Sequence, residues 1–134
     1  MATAKKIKII FPERINIHGS DYKVQIKRYN EDPHFEKMNC SGYCDGMQKI
    51  IVIGDLTTFK EYAEEAKEYI ETSVKLTLRH EILHAFFNES GLMTSTNPCL
   101  TAWAENEEMV DWFALQGSKI FKLWSDLNLI DISQ

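Results

Sequence analysis

The chain begins with short apolar stretches of period two and ends with long stretches of helical period. Lys5 to Phe11 is rich in isoleucine and stops at Pro12, and Arg14 to Ile17 reads as a short strand before the turn His18-Gly19-Ser20-Asp21. Tyr22, Val24 and Ile26 then alternate with Lys23, Gln25 and Lys27, the pattern of a strand with one wet face. Asn30 to Pro33 and Asn39 to Gly46 read as loops, and Lys49 to Ile53 as a short strand buried on both faces. Beyond it, Thr58 with Glu61 three residues later is a capping-box signature. Tyr62, Ala66, Tyr69, Ile70 and Val74 follow at helical spacing.

No Gly or Pro falls between Leu56 and Ser90. A straight helix over that span would reach about 48 Å, against a radius of gyration of about 14 Å for a domain of this size. The pattern therefore predicts a bend or break near Glu71 to Ser73, where Thr and Ser weaken helix propensity. Gly91 is the expected cap, and Gly91 to Pro98 a loop. A last helix is expected from about Thr101 to Trp124, with Trp103, Trp112 and Trp124 as core or subunit-contact residues. The prediction is a single α+β domain over residues 1–134, a small and mostly antiparallel sheet packed on helices.

Composition narrows the partners. The 134 residues carry 15 basic and 20 acidic side chains, a net charge of −5 that disfavours direct binding to DNA or RNA. The longest apolar runs, Ile50 to Ile53 and Trp112 to Leu115, are far too short for a membrane span. The start of the chain lacks the apolar core of an export signal. Three cysteines, Cys40, Cys44 and Cys99, do not make a disulfide scaffold, and the reducing cytoplasm is the simplest compartment.

One motif carries chemistry. His80-Glu81-Ile82-Leu83-His84 places two imidazoles four residues apart on one helical face, where they can grip a metal ion. Glu81 lies beside them as a base for water on that metal. The motif sits among Leu76, Leu78, Ile82, Leu83 and Phe86, where unpaired imidazoles and a carboxylate would be costly. A catalytic zinc takes three protein ligands and keeps one open position. No His follows His84, so the third ligand must be a carboxylate of the last helix: Glu105, Glu107, Glu108 or Asp111.

With Trp103 at the origin of a helical wheel, Glu107 falls at about 40° and Asp111 at about 80°, on the margin of the apolar face, while Glu108 at about 140° and Glu105 at about 200° point away. Glu107 is the expected ligand, with Glu108 the alternative. Asp111, one turn on, is placed either to accept the free ring N–H of His80 or to lie solvated on the helix flank. Tyr43 and His34 are candidates to stabilise an oxyanion. The strand Lys49 to Ile53 is considered as an edge for an added peptide strand, although its apolar run favours a core strand. Cys40 and Cys44 have metal-like spacing and admit a Cys₂His₂ site with His80 and His84, which the glutamate inside the motif disfavours.

His80-Glu81-x-x-His84 with Glu107-x-x-x-Asp111 downstream resembles the gluzincin class of zinc peptidases. The short chain and the segment Asp111-Trp112-Phe113-Ala114 are similar to the ImmA/IrrE family of phage and prophage metallopeptidase-like proteins, in which Asn or Asp stands four residues after the ligand Glu. The resemblance spans Leu76 to Ala114 and implies a minimal zincin-like fold, bound zinc, a cytoplasmic location and cleavage of a regulatory protein. The competing expectation is a zinc-containing binding module that does not cleave peptides. Substrate identity and oligomeric state stay open at this level.

Overall fold

The computed structural model describes Ile9 and residues 11–93 and 101–130. Most of the expected first strand, the loop to Pro98, Cys99 and the end of the chain lie outside these residues; Ile9 and Phe11 pack against the core without joining a strand.

The architecture is α+β, a four-stranded mixed sheet with three helices. Strand β1 (Arg14–Ile17) turns into β2 (Ser20–Lys27) through His18 and Gly19. Both linking residues have positive φ, 50° and 88°, the condition for the two-residue turn that matches strand twist. Tyr22 and Val24 of β2 are buried, while Ile26 is half exposed where the chain leaves the sheet. A short helix α1 (His34–Met38) ends on left-handed Asn39. Strands β3 (Gly42–Asp45) and β4 (Ile50–Gly54) form an antiparallel hairpin, whose loop is held by Asp45 accepting from the N–H groups of Met47 and Gln48.

The strand order is β1-β2-β4-β3. Two of the three pairings are antiparallel, but β2 and β4 run parallel, Val24 opposite Ile51 and Ile26 opposite Ile53. The chain therefore crosses over between β2 and β4. Residues 51–54 are buried, as expected for a central strand. Being flanked on both sides, β4 is the core strand that its apolar run favoured, and it is not an edge for an added peptide strand. Among the described residues the edge strands are β1 and β3, and β3 lies inside the expected Asn39 to Gly46 loop.

The main helix also differs from expectation. Residues Leu56–Thr58 and Lys60–Tyr62 form two separate 3₁₀ turns. Thr58 does not cap a helix with Glu61: its hydroxyl donates to the carbonyl of Asp55 and accepts from the N–H of Tyr29. Helix α2 (Lys67–Glu89) then runs unbroken for 23 residues, about 35 Å. It continues without a break through Glu71 to Ser73, where the hydroxyls of Thr72 and Ser73 bond back to the carbonyls of Glu68 and Tyr69. It ends at Ser90, with Gly91 in the left-handed region just beyond.

Buried Ile70, Val74 and Ala85 of α2 share one apolar core with Ile17, Tyr22, Ile51, Ile53, Leu56 and Phe59. The helix lies close on β3 because Gly42 has no side chain there: a Cβ would stand 2.7 Å from Thr77 Cγ2 and 3.0 Å from the carbonyl oxygen of Val52. The far end of α2 is fixed by Glu89, which accepts from Ser20 and Tyr22 and pairs with Lys49.

Helix α3 (Glu107–Asp126) starts later than expected. Trp103–Glu105 is a 3₁₀ turn, and Asn106 caps α3 by accepting from the N–H of Met109. Only Val110 and Ala114 of α3 are buried. Trp103, Trp112 and Trp124 are exposed at 64%, 52% and 42%, so none is a core residue. No described helix is long and apolar enough to cross a membrane.

Candidate metal centre

Helix α2 carries the motif across the edge of the sheet. Positions 80 and 84, one turn apart, face the start of α3, and position 81 turns inward. The side chains of His80 and His84 are 18% and 12% exposed, and that of Glu81 is 7% exposed. Ligating atoms of these three residues lie within 4.8 Å of one another.

Glu107 closes the group from α3. Its carboxylate lies 3.0 Å from His80 Nε2 and 3.2 Å from His84 Nε2, and the two Nε2 atoms are 3.0 Å apart. His80 Nδ1 is 2.7 Å from Asp111 Oδ1. With its ring proton on Nδ1, His80 donates to Asp111 and turns a lone pair on Nε2 toward His84 and Glu107. Two imidazole nitrogens and a carboxylate then converge, a set that suits a cation. The spacing fits as well: ligand bonds of about 2.0–2.1 Å in a tetrahedron put ligand atoms about 3.3 Å apart. Glu107 and Asp111 themselves are two-thirds exposed, so the centre opens to solvent on the α3 side.

Electrostatics follow burial. Desolvation, reinforced by the negative charges of Glu107 and Asp111, pushes the Glu81 carboxyl up to about 8. Desolvation holds the His84 imidazole below its ordinary value, partly opposed by Glu107 and reinforced by His80. Both effects belong to the protein groups alone, and a cation at their meeting point would oppose the first by favouring carboxylate charge.

A trench of about 850 Å³ runs along this face of α2, with β3 as its other wall. Its lining includes His34, Cys44, Tyr69, Thr77 and Asn88 besides the motif residues. Tyr69, Ser73, Thr77, His80, His84 and Asn88 recur at intervals of three or four, so continuing the motif's own helical face would have found this wall. The β3 wall has no such signal, because Gly42, Cys44 and Asp45 are poor strand formers.

Of the two oxyanion candidates, His34 lines the trench and Tyr43 does not. Strand alternation explains the difference. Gly42 meets Thr77 of α2, so Tyr43 points to the opposite face of the sheet. There its hydroxyl donates to Asp32 at 2.6 Å, in a group completed by Lys27 and the N–H of His34. Burial alone would raise Asp32, but these bonds outweigh it and hold the carboxyl below its ordinary value.

Cys40 and Cys44 do not join the metal-ligating group found among the described residues. Cys40 and Cys44 are free thiols, and Cys44 is pushed up to about 12 by burial first and then by Glu81.

No family model matches the chain, and no significant match was found among curated proteins or solved structures.

Proposed function

We propose that the chain is a small zinc-dependent metallopeptidase. The observation that carries the reading is the convergence of His80, His84 and Glu107 within 3.0–3.2 Å, with the buried Glu81 carboxylate beside them. His80, His84 and Glu107 would hold the metal, and Asp111 would orient His80. Bound zinc supplies Lewis acidity and lowers the pKa of coordinated water.

The chain's own groups supply the proton transfer. Glu81 takes a proton from the attacking water onto its carboxylate and returns it to the leaving amine. Burial against the sheet keeps competing water from that carboxylate. The cavity between α2 and β3 supports a peptide as substrate: its lining runs past the motif residues from Tyr69 to Asn88 of α2, and the outer edge of β3 offers backbone groups for pairing. The resemblance to the ImmA/IrrE family supports a regulatory protein of a phage or prophage system as target, met in the cytoplasm.

The test is hydrolysis of a peptide library by the zinc-loaded chain and by Glu81→Gln. The reading expects the wild type to cleave and the variant to keep zinc while losing at least 100-fold in rate, the lower range of general-base effects. Equal turnover would remove Glu81 as the base. Tight zinc binding with no cleavage of any peptide or regulator would favour the non-proteolytic binding module.

A further inference from the structure

The cavity at the metal centre extends further toward the start of α2 than toward its end. Tyr69, Ser73, Leu76, His80 and His84 follow one another in steps of three or four residues and share one face of the helix. Tyr69 lies about 16 Å from His80 along the helix axis, whereas Asn88, the last lining residue of α2, lies about 6 Å beyond His84. Three elements build the long arm. Tyr69 and Leu76 come from α2, Tyr62 from the 3₁₀ turn before it, and Met38 from the end of α1. The Tyr62 and Tyr69 rings stand 6.3 Å apart and are inclined by 34°. Met38 and Tyr69 are 58% and 55% exposed. Single exposed apolar residues are ordinary, but these two converge on one cavity with half-buried Tyr62 and Leu76.

Charge divides the cavity. Glu81, Glu107 and Asp111 line the metal end, and no Asp, Glu, Lys or Arg lines the long arm. The charges of Glu61 and Glu65 act on Tyr62 from outside the lining.

We propose that the long arm is a subsite for a large apolar side chain of the peptide, aromatic or leucine-like, about three to five residues from the bond that is cleaved. The inference rests on the peptidase reading and adds a substrate class to it. Geometry dictates what covers the arm. A peptide that lies along α2 with its scissile bond at the metal carries its flanking residues over Ser73 and Tyr69. An extended chain advances about 3.3 Å per residue, so the stretch roughly 10–16 Å from His80 meets residues three to five. Chemistry selects the side chain. Aromatic faces favour aromatic and aliphatic partners, and the flexible thioether of Met38 adapts to either shape. The short arm ends at Asn88, about two residues from the metal, so the preference falls on one side of the bond only.

The test uses the zinc-loaded chain and alanine-rich peptides in which one Phe, Leu, Lys or Glu is moved through every position, the cut bond being mapped by mass spectrometry. Wild type should prefer Phe or Leu at those positions by roughly tenfold in kcat/KM, the order of discrimination that an apolar pocket provides. Tyr69→Ala should erase the preference with unchanged zinc content and circular dichroism, and Tyr69→Phe should keep it. Cleavage without positional preference, a preference for Lys drawn by Glu61 and Glu65, or an undiminished preference in Tyr69→Ala would overturn the subsite and leave the peptidase reading intact. A chain that cleaves no peptide would remove that reading, and binding then decides the subsite. The zinc-loaded chain should hold the Phe peptides roughly tenfold more tightly than an all-alanine peptide, as an apolar pocket does, and lose that margin in Tyr69→Ala. Equal affinity would overturn the subsite as well.

Discussion

His80 Nδ1 and Asp111 Oδ1 lie 2.7 Å apart, joining the motif helix to α3 one turn beyond Glu107. The contact fixes the ring so that Nε2 faces His84 and Glu107. Loss of such an orienting partner typically costs 10–100-fold in metal affinity. Asp111→Ala should therefore weaken zinc binding by about 10–100-fold without abolishing it, measured by competition with a chromophoric chelator, and Asp111→Asn should lose less because the amide oxygen still accepts. Unchanged affinity in Asp111→Ala would return Asp111 to the role of a solvated flank acid.

Glu107 and Glu108 are neighbours in sequence, yet of the two Glu107 is the one that touches the imidazoles. Glu107→Ala should lose tight zinc binding, while Glu108→Ala should keep it. Metal retention after dialysis against a weak chelator separates the two, and the reverse result would reassign the ligand.

Gly42 lets β3 lie against α2 one turn before His80. Gly42→Ala would press a methyl group on Thr77 and on the Val52 carbonyl. Overpacking of this kind costs about 1–3 kcal/mol, so the melting temperature should fall by several degrees. Hydrolysis should fall further than stability alone requires, because the trench wall moves. An unchanged melting temperature would mean that the two elements separate without cost.

Glu89 holds the far end of α2. Hydrogen bonds from Lys49, Tyr22 and Ser20 lower its carboxyl from 4.5 to about 2. The unfolded chain therefore takes up the proton first as pH falls. The contribution is complete above about 4.5 and is lost as pH drops toward 2. Chemical denaturation at pH 7 should find Glu89→Gln less stable than wild type, with the gap closing between pH 4.5 and 2. A gap that did not vary with pH would show that charge at Glu89 plays no part.

The metal group was the most legible part of this molecule, because its logic is local. His80, Glu81 and His84 lie within one helical turn, and a helical wheel from Trp103 put Glu107 and Asp111 on the margin that meets the imidazoles, although the helix starts about six residues later than expected. What the chain does between distant segments was not legible. The parallel pairing of β2 with β4 depends on a crossover that no local pattern records. Strand β3 is too short and too poor in strand formers to stand out, and with it went the side on which Tyr43 falls. The break allowed for at Glu71 to Ser73 does not occur there: the helical span is shortened earlier, by the 3₁₀ turns at Leu56–Thr58 and Lys60–Tyr62, which propensity alone does not mark. Of the two readings of the tryptophans, core or subunit contact, their exposure removes the first, because apolar character marks a face to be covered and not what covers it.

The central claim is that His80, His84 and Glu107 form one zinc site. Elemental analysis of the purified chain, beside His84→Ala with its folding checked by circular dichroism, tests it most directly. The account predicts about one zinc per wild-type chain, from a single three-ligand site, and loss of that zinc in the variant. A folded His84→Ala chain that kept a full complement of zinc, or a folded wild type that bound none when zinc was supplied, would contradict it.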